Sequence, residues 1–215
     1  MKRLCVFDLD GTLVNSLGDL ADSANFALEK QRFPTHPREL YRYFVGGGIP
    51  RLIRRILPQG TSEEEIRLVH DLFAQEYRRR CLATTAPYPG IPELLEELGQ
   101  RKVEAAVFSN KDHEFAGHIV KALFPGQRFA FVQGMAPGMP KKPDPAGMLP
   151  HLEALGIGPG ECLYLGDSGV DMRTANNAGC LALGVLWGFR EREELLENGA
   201  AHLIARPLEA LDYLD

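Results

Sequence analysis

The side chains best suited to chemistry lie near the start of the chain, where a short apolar run ends in Asp8 and Asp10. The run Leu4 to Phe7 predicts a buried strand, and Asp-Leu-Asp-Gly-Thr after it predicts the loop at its end. Side chains two positions apart in extended backbone point the same way, so both carboxylates would face one space. Such charges repel each other, and a divalent cation is their usual partner. A solvated Asp-Gly turn is the alternative reading of these residues alone.

Three further groups of polar residues follow predicted strands. They are Ser109, Asn110 and Lys111 after a strand at 103–108, Lys141 and Lys142 in the long loop after a strand at 129–132, and Asp167, Ser168 and Asp171 after a strand at 163–165. Each group alone is also typical of a turn, a helix cap or a solvated surface. Ligands of parallel sheets bind beyond the carboxyl ends of the strands, so all four groups are expected at one edge.

This set of side chains favours phosphate chemistry. Four carboxylates without a neighbouring His or Cys pair suit a hard cation, above all Mg²⁺. A lysine and a hydroxyl opposite them would hold an anion, for which phosphate is the obvious candidate. A carboxylate beside that phosphate can act as a nucleophile and form an aspartyl phosphate.

The elements that must position these residues fall into two groups. Short apolar strands alternate with helices at residues 1–15 and 85–215, including strands at 181–185 and 201–205, which predicts an α/β core with a doubly wound parallel sheet. Residues 16–84 show apolar spacings of three and four with no convincing strand, which predicts an inserted helical cap domain.

Composition limits the class of protein. The chain has 215 residues, 45% hydrophobic and 25% charged, which is typical of one or two globular domains. A net charge of -5 argues against nucleic-acid binding, and no apolar run approaches the ~20 residues of a membrane span. The four cysteines lack CxxC spacing and a strand begins within a few residues, so we expect no signal peptide and a cytoplasmic setting. The expected partner is a small phosphorylated metabolite, with the chain a monomer or a homodimer.

Taken in order, these segments resemble the four motifs of the haloacid dehalogenase superfamily. The matching residues are Asp8-Leu9-Asp10-Gly11-Thr12, Ser109, Lys142-Pro143, and Gly166-Asp167-Ser168 followed by Asp171. The helical segment 16–84 stands where that superfamily inserts its cap. Within the superfamily, the chain is most similar to the phosphoglycolate phosphatases, which have stretches like Phe44 to Gly48 and Leu186 to Arg190.

The resemblance implies a role for each matching residue. Asp8 is the expected nucleophile and a Mg²⁺ ligand. Asp10 is expected to protonate the leaving alcohol, then to activate water, and to bind Mg²⁺ through its main-chain carbonyl. Thr12 supports the loop and forms the phosphate-binding set together with Ser109, Asn110 and Lys142, whereas Asp167 and Asp171 complete the metal site. Lys142 is preferred to Lys141 because it directly precedes Pro143-Asp144-Pro145, as in the family pattern.

Several other functions stay open at this point. A sugar-phosphate mutase, a nucleotidase or a pyrophosphatase of the same superfamily are alternatives, although Gly48-Ile49 stands where the mutases carry a Ser-Arg pair. Gly166-Asp167-Ser168-Gly169 resembles part of a chymotrypsin-like serine protease motif, which the βα alternation disfavours. The basic residues Arg51, Arg54, Arg55 and Arg78 to Arg80 fit a cap that docks a partner protein, or an arginine that reaches a substrate carboxylate. Charge runs are more often solvated helix faces.

Overall fold

The structure is a computed structural model that describes residues 1–215. A parallel sheet forms its centre. The strands are β1 (Leu4–Phe7), β2 (Val14–Asn15), β3 (Ala86–Pro87), β4 (Glu104–Asp112), β5 (Val132–Met135), β6 (Cys162–Gly166), β7 (Leu181–Val185) and β8 (His202–Ile204). Six of them form one sheet in the order β5-β4-β1-β6-β7-β8, and every neighbouring pair is parallel. The predicted doubly wound core is confirmed.

Helices cover both faces of the sheet and form the inserted segment. They are α1 (Leu17–Lys30), α2 (Tyr41–Phe44), α3 (Ile49–Ile56), α4 (Glu63–Arg80), α5 (Ile91–Gln100), α6 (His113–Leu123), α7 (Leu149–Leu155), α8 (Gly169–Ala178) and α9 (Arg192–Glu197). Alternate side chains of β1 enter different cores: Cys5 and Phe7 pack with α5 and α6, whereas Leu4 and Val6 pack with α7 and α8. All four are fully buried, which explains why the strand is a continuous apolar run.

The order of the strands determines where a ligand can bind. β1 lies between β4 and β6, and Phe7 is level with Val107 on one side and Leu165 on the other. The chain builds β4 and β5 to one side of β1 and then crosses to build β6 to β8 on the other. The loops after β1, β4 and β6 therefore meet at a topological switch point, where open α/β sheets bind ligands.

The cap consists of α1 to α4, so the predicted helical insertion is confirmed. Its two connections to the sheet run side by side, because β2 and β3 pair in antiparallel fashion. Asp19 holds the same connections together: its buried carboxylate accepts hydrogen bonds of 2.7–3.0 Å from four donors, the backbone N–H and the hydroxyl of both Thr84 and Thr85. The domain boundaries at 15/16 and 84/85 stay a prediction.

Local signals explain where several helices begin and end. Ser62 caps α4 by a reciprocal pair of hydrogen bonds with Glu65. Gly179 ends α8 with a φ of 82°, which glycine adopts without strain. No helix combines the length and the apolar composition that a membrane span requires. All four cysteines are buried free thiols.

Two strand boundaries differ from the prediction. The strand predicted at 129–132 lies at Val132–Met135, although Ala130 and Phe131 already hydrogen-bond to the backbone of β4. β4 was expected to end at Phe108 but continues to Asp112 through an irregularity in its pairing with β5. This second difference changes which side chains reach the site.

Candidate active site

A cavity of about 70 Å³ lies at the carboxyl ends of the strands, between the sheet and the cap. The core contributes Asp8, Asp10, Ser109, Asn110, Lys111, Lys142, Asp167, Ser168, Val170, Asp171, Phe189 and Arg190 to its wall. The cap contributes Leu20, Val45, Gly46, Gly47, Gly48, Ile49 and Leu52. Of the eight residues that the sequence assigns to the site, all except Thr12 line this cavity.

Three buried carboxylates form the centre of the site. Asp8 follows β1, Asp167 follows β6, and Asp171 lies in the first turn of α8; one oxygen from each lies within 4.8 Å of the others. Burial raises the pKa of Asp8 to about 6, against a lowering effect of Lys142 and with a further rise from Asp171. Burial and the charges of Asp171 and Asp8 raise the pKa of Asp167 well above its ordinary value. The cluster therefore holds more negative charge than its surroundings neutralise.

Lys142 is the cation that faces this cluster. Its ammonium donates to Asp171 Oδ1 at 2.6 Å and to the Phe108 carbonyl at 3.1 Å, and it lies 2.9 Å from Asp8 Oδ1. Burial lowers the pKa of Lys142, but Asp171 and Asp8 outweigh burial and raise it well above the ordinary value. Lys142 is buried and charged, whereas Lys141 beside it is exposed.

The three carboxylates differ in how many of their oxygens are already engaged. Asp171 uses both: Oδ1 accepts from Lys142, and Oδ2 accepts from the backbone and hydroxyl of Ser168, the residue that precedes the first turn of α8. Asp167 accepts one short hydrogen bond, 2.8 Å from the Phe189 backbone to Oδ2. Asp8 Oδ1 is buried without a hydrogen-bond partner, since the nearby ammonium lies outside hydrogen-bond geometry. Asp8 and Asp167 thus have oxygen lone pairs available for a ligand, whereas Asp171 has the fewest available lone pairs of the three.

Three predicted phosphate-binding residues, Thr12, Asn110 and Ser109, have different positions relative to the cavity. Thr12 is fully buried, with its hydroxyl 3.5 Å from Asp167 Oδ1, so it lies behind that carboxylate. The Asn110 amide accepts from the Lys142 backbone N–H at 2.9 Å and donates to its carbonyl at 3.3 Å. Asn110 therefore fixes the loop that carries Lys142. Ser109 is buried in the wall and accepts from the Lys111 backbone.

Asp10 lies apart from the three clustered carboxylates. Its Oδ1 accepts from the Ser16 hydroxyl at 2.5 Å, and both of its oxygens lie 3.0 Å from the ammonium of Lys111. The side chain is therefore held by Ser16 at the start of the cap and by Lys111 of the core, away from the carboxylate cluster. The predicted contact of its main-chain carbonyl with a metal stays a prediction.

The sequence placed Lys111 at this edge but assigned it no role; it is buried in the wall beside Asp10. Between the pairs Phe108–Gln133 and Asp112–Met135, β4 has three residues where β5 has only Gly134. This bulge turns successive side chains towards the site, as bulges beside active sites commonly do. Gly134 permits it, because a Cβ there would lie 2.6 Å from the Lys111 carbonyl. The available signal was a lysine directly after Ser109-Asn110.

The loop after β7 is a second contribution that the site assignment omitted. The Phe189 backbone binds Asp167, and the Trp187 indole donates to the Thr12 carbonyl at 3.0 Å. Arg190 donates to the carbonyl of Val45 at 2.6 Å and to that of Arg42, both in the cap. The polar and aromatic residues after an apolar strand were the available signal. This loop connects the carboxylate cluster to the cap.

Comparison with known proteins identifies the family. A sequence profile described as haloacid dehalogenase-like hydrolase matches residues 5–185. The chain belongs to this family. It is 32% identical to a phosphoglycolate phosphatase of Pseudomonas putida, over 88% of this chain and 71% of that one. It is also 32% identical to a phosphoglycolate phosphatase of Haemophilus influenzae, over 91% of each chain. The crystal structure of a predicted phosphoglycolate phosphatase from Haemophilus somnus has a TM-score of 0.91 and 28% identity, covering 100% of this chain and 98% of that one.

Membership of a hydrolase family makes the chain an enzyme and removes two of the alternatives. The serine protease reading fails because its fold is all-β, whereas this sheet is parallel and covered by helices. The reading as a non-enzymatic docking module also fails. Three of the basic residues that suggested it have partners within the molecule: Arg54 pairs with Glu63, Arg55 donates to the carbonyls of Tyr43 and Phe44, and Arg80 pairs with Asp22.

Proposed function

We propose that this hydrolase is a Mg²⁺-dependent phosphatase that releases phosphate from a small monoester such as phosphoglycolate. The observation that carries the proposal is the position of Asp8. Its carboxylate lines the cavity between core and cap, lies 2.9 Å from the ammonium of Lys142 and has a buried oxygen that accepts no hydrogen bond. A nucleophile, a cation for the phosphoryl group and a proton-transferring acid are thereby present in one cavity.

The residues of the site fit a magnesium ion. Three buried carboxylates supply hard oxygen ligands within a small space, and burial together with the neighbouring carboxylates raises the pKa of two of them, Asp8 and Asp167. Asp8 and Asp167 would hold the ion directly, and Asp171 would hold Lys142 and the start of α8. A bound Mg²⁺ would neutralise these carboxylates and draw charge from the phosphoryl oxygens.

The reaction then proceeds in two steps. The Asp8 carboxylate attacks phosphorus, the bond from phosphorus to the ester oxygen breaks, and Asp10 gives its proton to the departing alkoxide. The same Asp10 then takes a proton from water, whose oxygen attacks the aspartyl phosphate, and Asp8 and inorganic phosphate are released. Lys142 and the Ser109 hydroxyl stabilise the phosphoryl group during both transfers.

The dimensions of the cavity favour a small leaving group. Its volume of about 70 Å³ is small beside the roughly 300–1,000 Å³ of typical ligand pockets. The relatives named above are phosphoglycolate phosphatases, and the ester they act on has a two-carbon acid as its leaving group. Gly48 and Ile49 line the wall where the mutases have a Ser-Arg pair, which leaves no side chain there to hold a second phosphate.

A panel of phosphorylated metabolites tests this function. Phosphate release would be measured with Mg²⁺ from phosphoglycolate, sugar phosphates, nucleoside monophosphates and pyrophosphate, and mutase activity would be followed with a sugar 1-phosphate. We expect phosphoglycolate to have the highest kcat/KM and excess EDTA to stop its turnover. Preference for a sugar phosphate, a nucleotide or pyrophosphate would replace the proposed substrate. Release from none of them would refute the phosphatase assignment.

A further inference from the structure

Lys111 lies at the point where the cap meets Asp10. It is buried, and its ammonium has three acceptors: the two carboxylate oxygens of Asp10 at 3.0 Å and the hydroxyl oxygen of Tyr77 at 2.7 Å. The two carboxylate oxygens lie side by side and share one donor direction, so the ammonium is held by one carboxylate and one hydroxyl. Asp10 belongs to the loop after β1, Lys111 to the bulge of β4, and Tyr77 to helix α4 of the cap. Three separate segments thus meet through one side chain.

The ring of Tyr77 is held on both sides, which fixes its hydroxyl. Phe73, one turn earlier in α4, stacks on it with ring centroids 5.4 Å apart. Phe115 from helix α6 of the core meets it edge-on at 5.0 Å. Tyr77 is fully buried, and burial raises the pKa of its hydroxyl, which keeps it neutral. The hydroxyl is therefore a fixed acceptor that the cap presents to a lysine of the core.

A merely structural role does not account well for this arrangement. A buried ion pair contributes little net stability, because desolvation of the two charges offsets their attraction. Asp10 also accepts a hydrogen bond from Ser16, at the base of the cap. Both donors to the proton-transferring carboxylate are consequently tied to the cap or to its connection. A displaced cap would remove the Tyr77 hydroxyl and free Lys111 to turn away from Asp10.

We propose that Tyr77 and Lys111 are positioning residues that make proton transfer by Asp10 depend on docking of the cap. Lys111 holds the Asp10 carboxylate in place, and Tyr77 holds Lys111 only when α4 lies against the core. The enzyme would thereby protonate a leaving group efficiently only in its closed form. This inference rests on the proposed function, because it concerns the proton that Asp10 delivers.

The leaving group provides the test. An alkyl ester such as phosphoglycolate needs protonation of its leaving oxygen, whereas p-nitrophenyl phosphate releases a stable anion without it. The constant kcat/KM reports the steps up to departure of the leaving group, so later hydrolysis of the aspartyl phosphate does not enter. We expect Tyr77→Phe to lower kcat/KM for phosphoglycolate about tenfold and for p-nitrophenyl phosphate by less than about twofold.

The chain supplies a matched control in Tyr41→Phe. Tyr41 is also a fully buried tyrosine of the cap, and its hydroxyl donates to Asn25 at 2.6 Å, within the cap. The same hydroxyl is removed, and a similar small loss of thermal stability is expected. We expect both substrates to be affected equally in this variant, since Tyr41 has no contact with Lys111.

A second variant distinguishes action through Lys111 from independent action. Lys111→Met keeps the length of the side chain and should show a larger loss than Tyr77→Phe, again greater for the alkyl ester. Because Tyr77 acts through Lys111, adding Tyr77→Phe to Lys111→Met should cause no further selective loss. If Lys111→Met does not fold, as judged by circular dichroism, Tyr77→Phe against Tyr41→Phe still decides the question.

Failure of the inference and failure of the function give different results. Equal losses on both substrates in Tyr77→Phe, with wild-type turnover intact, would overturn the positioning role and leave the phosphatase assignment standing. Additive losses in the double variant would overturn the claim that Tyr77 acts through Lys111. Absence of turnover by the wild type on every ester would instead remove the proposed function itself.

Discussion

The two walls of the cavity differ in almost every chemical respect. The core wall carries seven ionisable side chains: Asp8, Asp10, Lys111, Lys142, Asp167, Asp171 and Arg190. The cap wall carries none, and three of its residues are consecutive glycines with φ values of 85–109°. The cap side chains that line the cavity are aliphatic. The charges needed for bond making and breaking thus come from the core, and the cap defines the shape of the space.

This difference separates residues that must keep their geometry from residues that need not. A cluster of charges must keep its geometry, because each buried carboxylate or ammonium depends on its neighbours. A wall of glycine and aliphatic residues can change without disturbing that network. We therefore expect changes in the core wall to affect the rate of the chemical step, and changes in the cap wall to affect substrate binding.

The largest effect is expected from Asp8→Asn, which removes the proposed nucleophile. Turnover should fall by roughly 10⁴-fold or more, because no other carboxylate has a free oxygen beside Lys142. The variant should nevertheless fold, since an amide replaces a carboxylate whose pKa burial has raised. Phosphate release and circular dichroism measure the two results. Retention of most activity would show that the chemistry lies elsewhere in the core wall.

The next largest effect is expected at Lys142, and its neighbour Lys141 provides the comparison. Lys142→Met should lower turnover at least about 100-fold and destabilise the protein by about 3–5 kcal/mol, because Asp8 and Asp171 would lose their buried cation. Lys141→Met is the matched control and should change the free energy of unfolding by less than about 0.5 kcal/mol, since Lys141 is exposed. Urea denaturation and kcat measure both. The reverse order of effects would exchange the roles of the two lysines.

The carboxylate cluster also predicts how stability depends on pH without metal. Burial raises the pKa of Asp8 to about 6, so between its ordinary value and pH 6 the folded state binds more protons than the unfolded state. The free energy of unfolding should therefore fall as pH rises, by about 1 kcal/mol between pH 5 and 7.5. Mg²⁺ should reverse this loss at pH 7.5.

Thermal melting of wild type and Asp8→Asn in EDTA, at both pH values, measures the contribution of Asp8, which includes the effect of its charge on the pKa of Asp167. Burial lowers the pKa of His151, which opposes this contribution equally in both proteins. We expect the stability of wild type relative to Asp8→Asn to be lower at pH 7.5 than at pH 5. An unchanged difference would mean that Asp8 does not carry the raised pKa.

The core wall was largely predictable from the sequence because its residues follow apolar strands directly. Asp8, Ser109 and Asp167 are adjacent in the sequence to runs that can only be buried strands, and parallel strands bring those ends together. The order and direction of the strands then follow from the alternation with helices. These inferences need only local patterns and one rule of sheet topology.

The contributions of the cap and the contact of Lys111 with Asp10 could not be found in the same way. Tyr77 lies on the apolar face of α4, where its spacing is the same as that of Phe73, a core residue without a polar partner. Lys111 enters the site only because β4 bulges, and a bulge depends on the pairing of two distant strands. Arg190 depends on how the cap docks. Each requires a tertiary contact that no local pattern encodes.

The smallest effect is expected in the cap wall, and it is the most direct test of the division between the two walls. Gly48→Ala adds a methyl group 3.3 Å from the Asn110 carbonyl, at the edge of the cavity. Gly60→Ala is its control, because Gly60 has a similar φ of 85° but no atom within 4 Å of the added carbon. Both should lose about 1 kcal/mol of stability through the strained backbone, whereas only Gly48→Ala narrows the space for substrate.

We expect Gly48→Ala to raise KM about tenfold with kcat nearly unchanged, because only binding is affected. Gly60→Ala should leave both constants unchanged. A fall in kcat for Gly48→Ala at constant KM would mean that the cap takes part in the chemical step, and not only through Tyr77. The core wall would then not be the only wall that takes part in the reaction, and the cap wall would do more than bind the substrate.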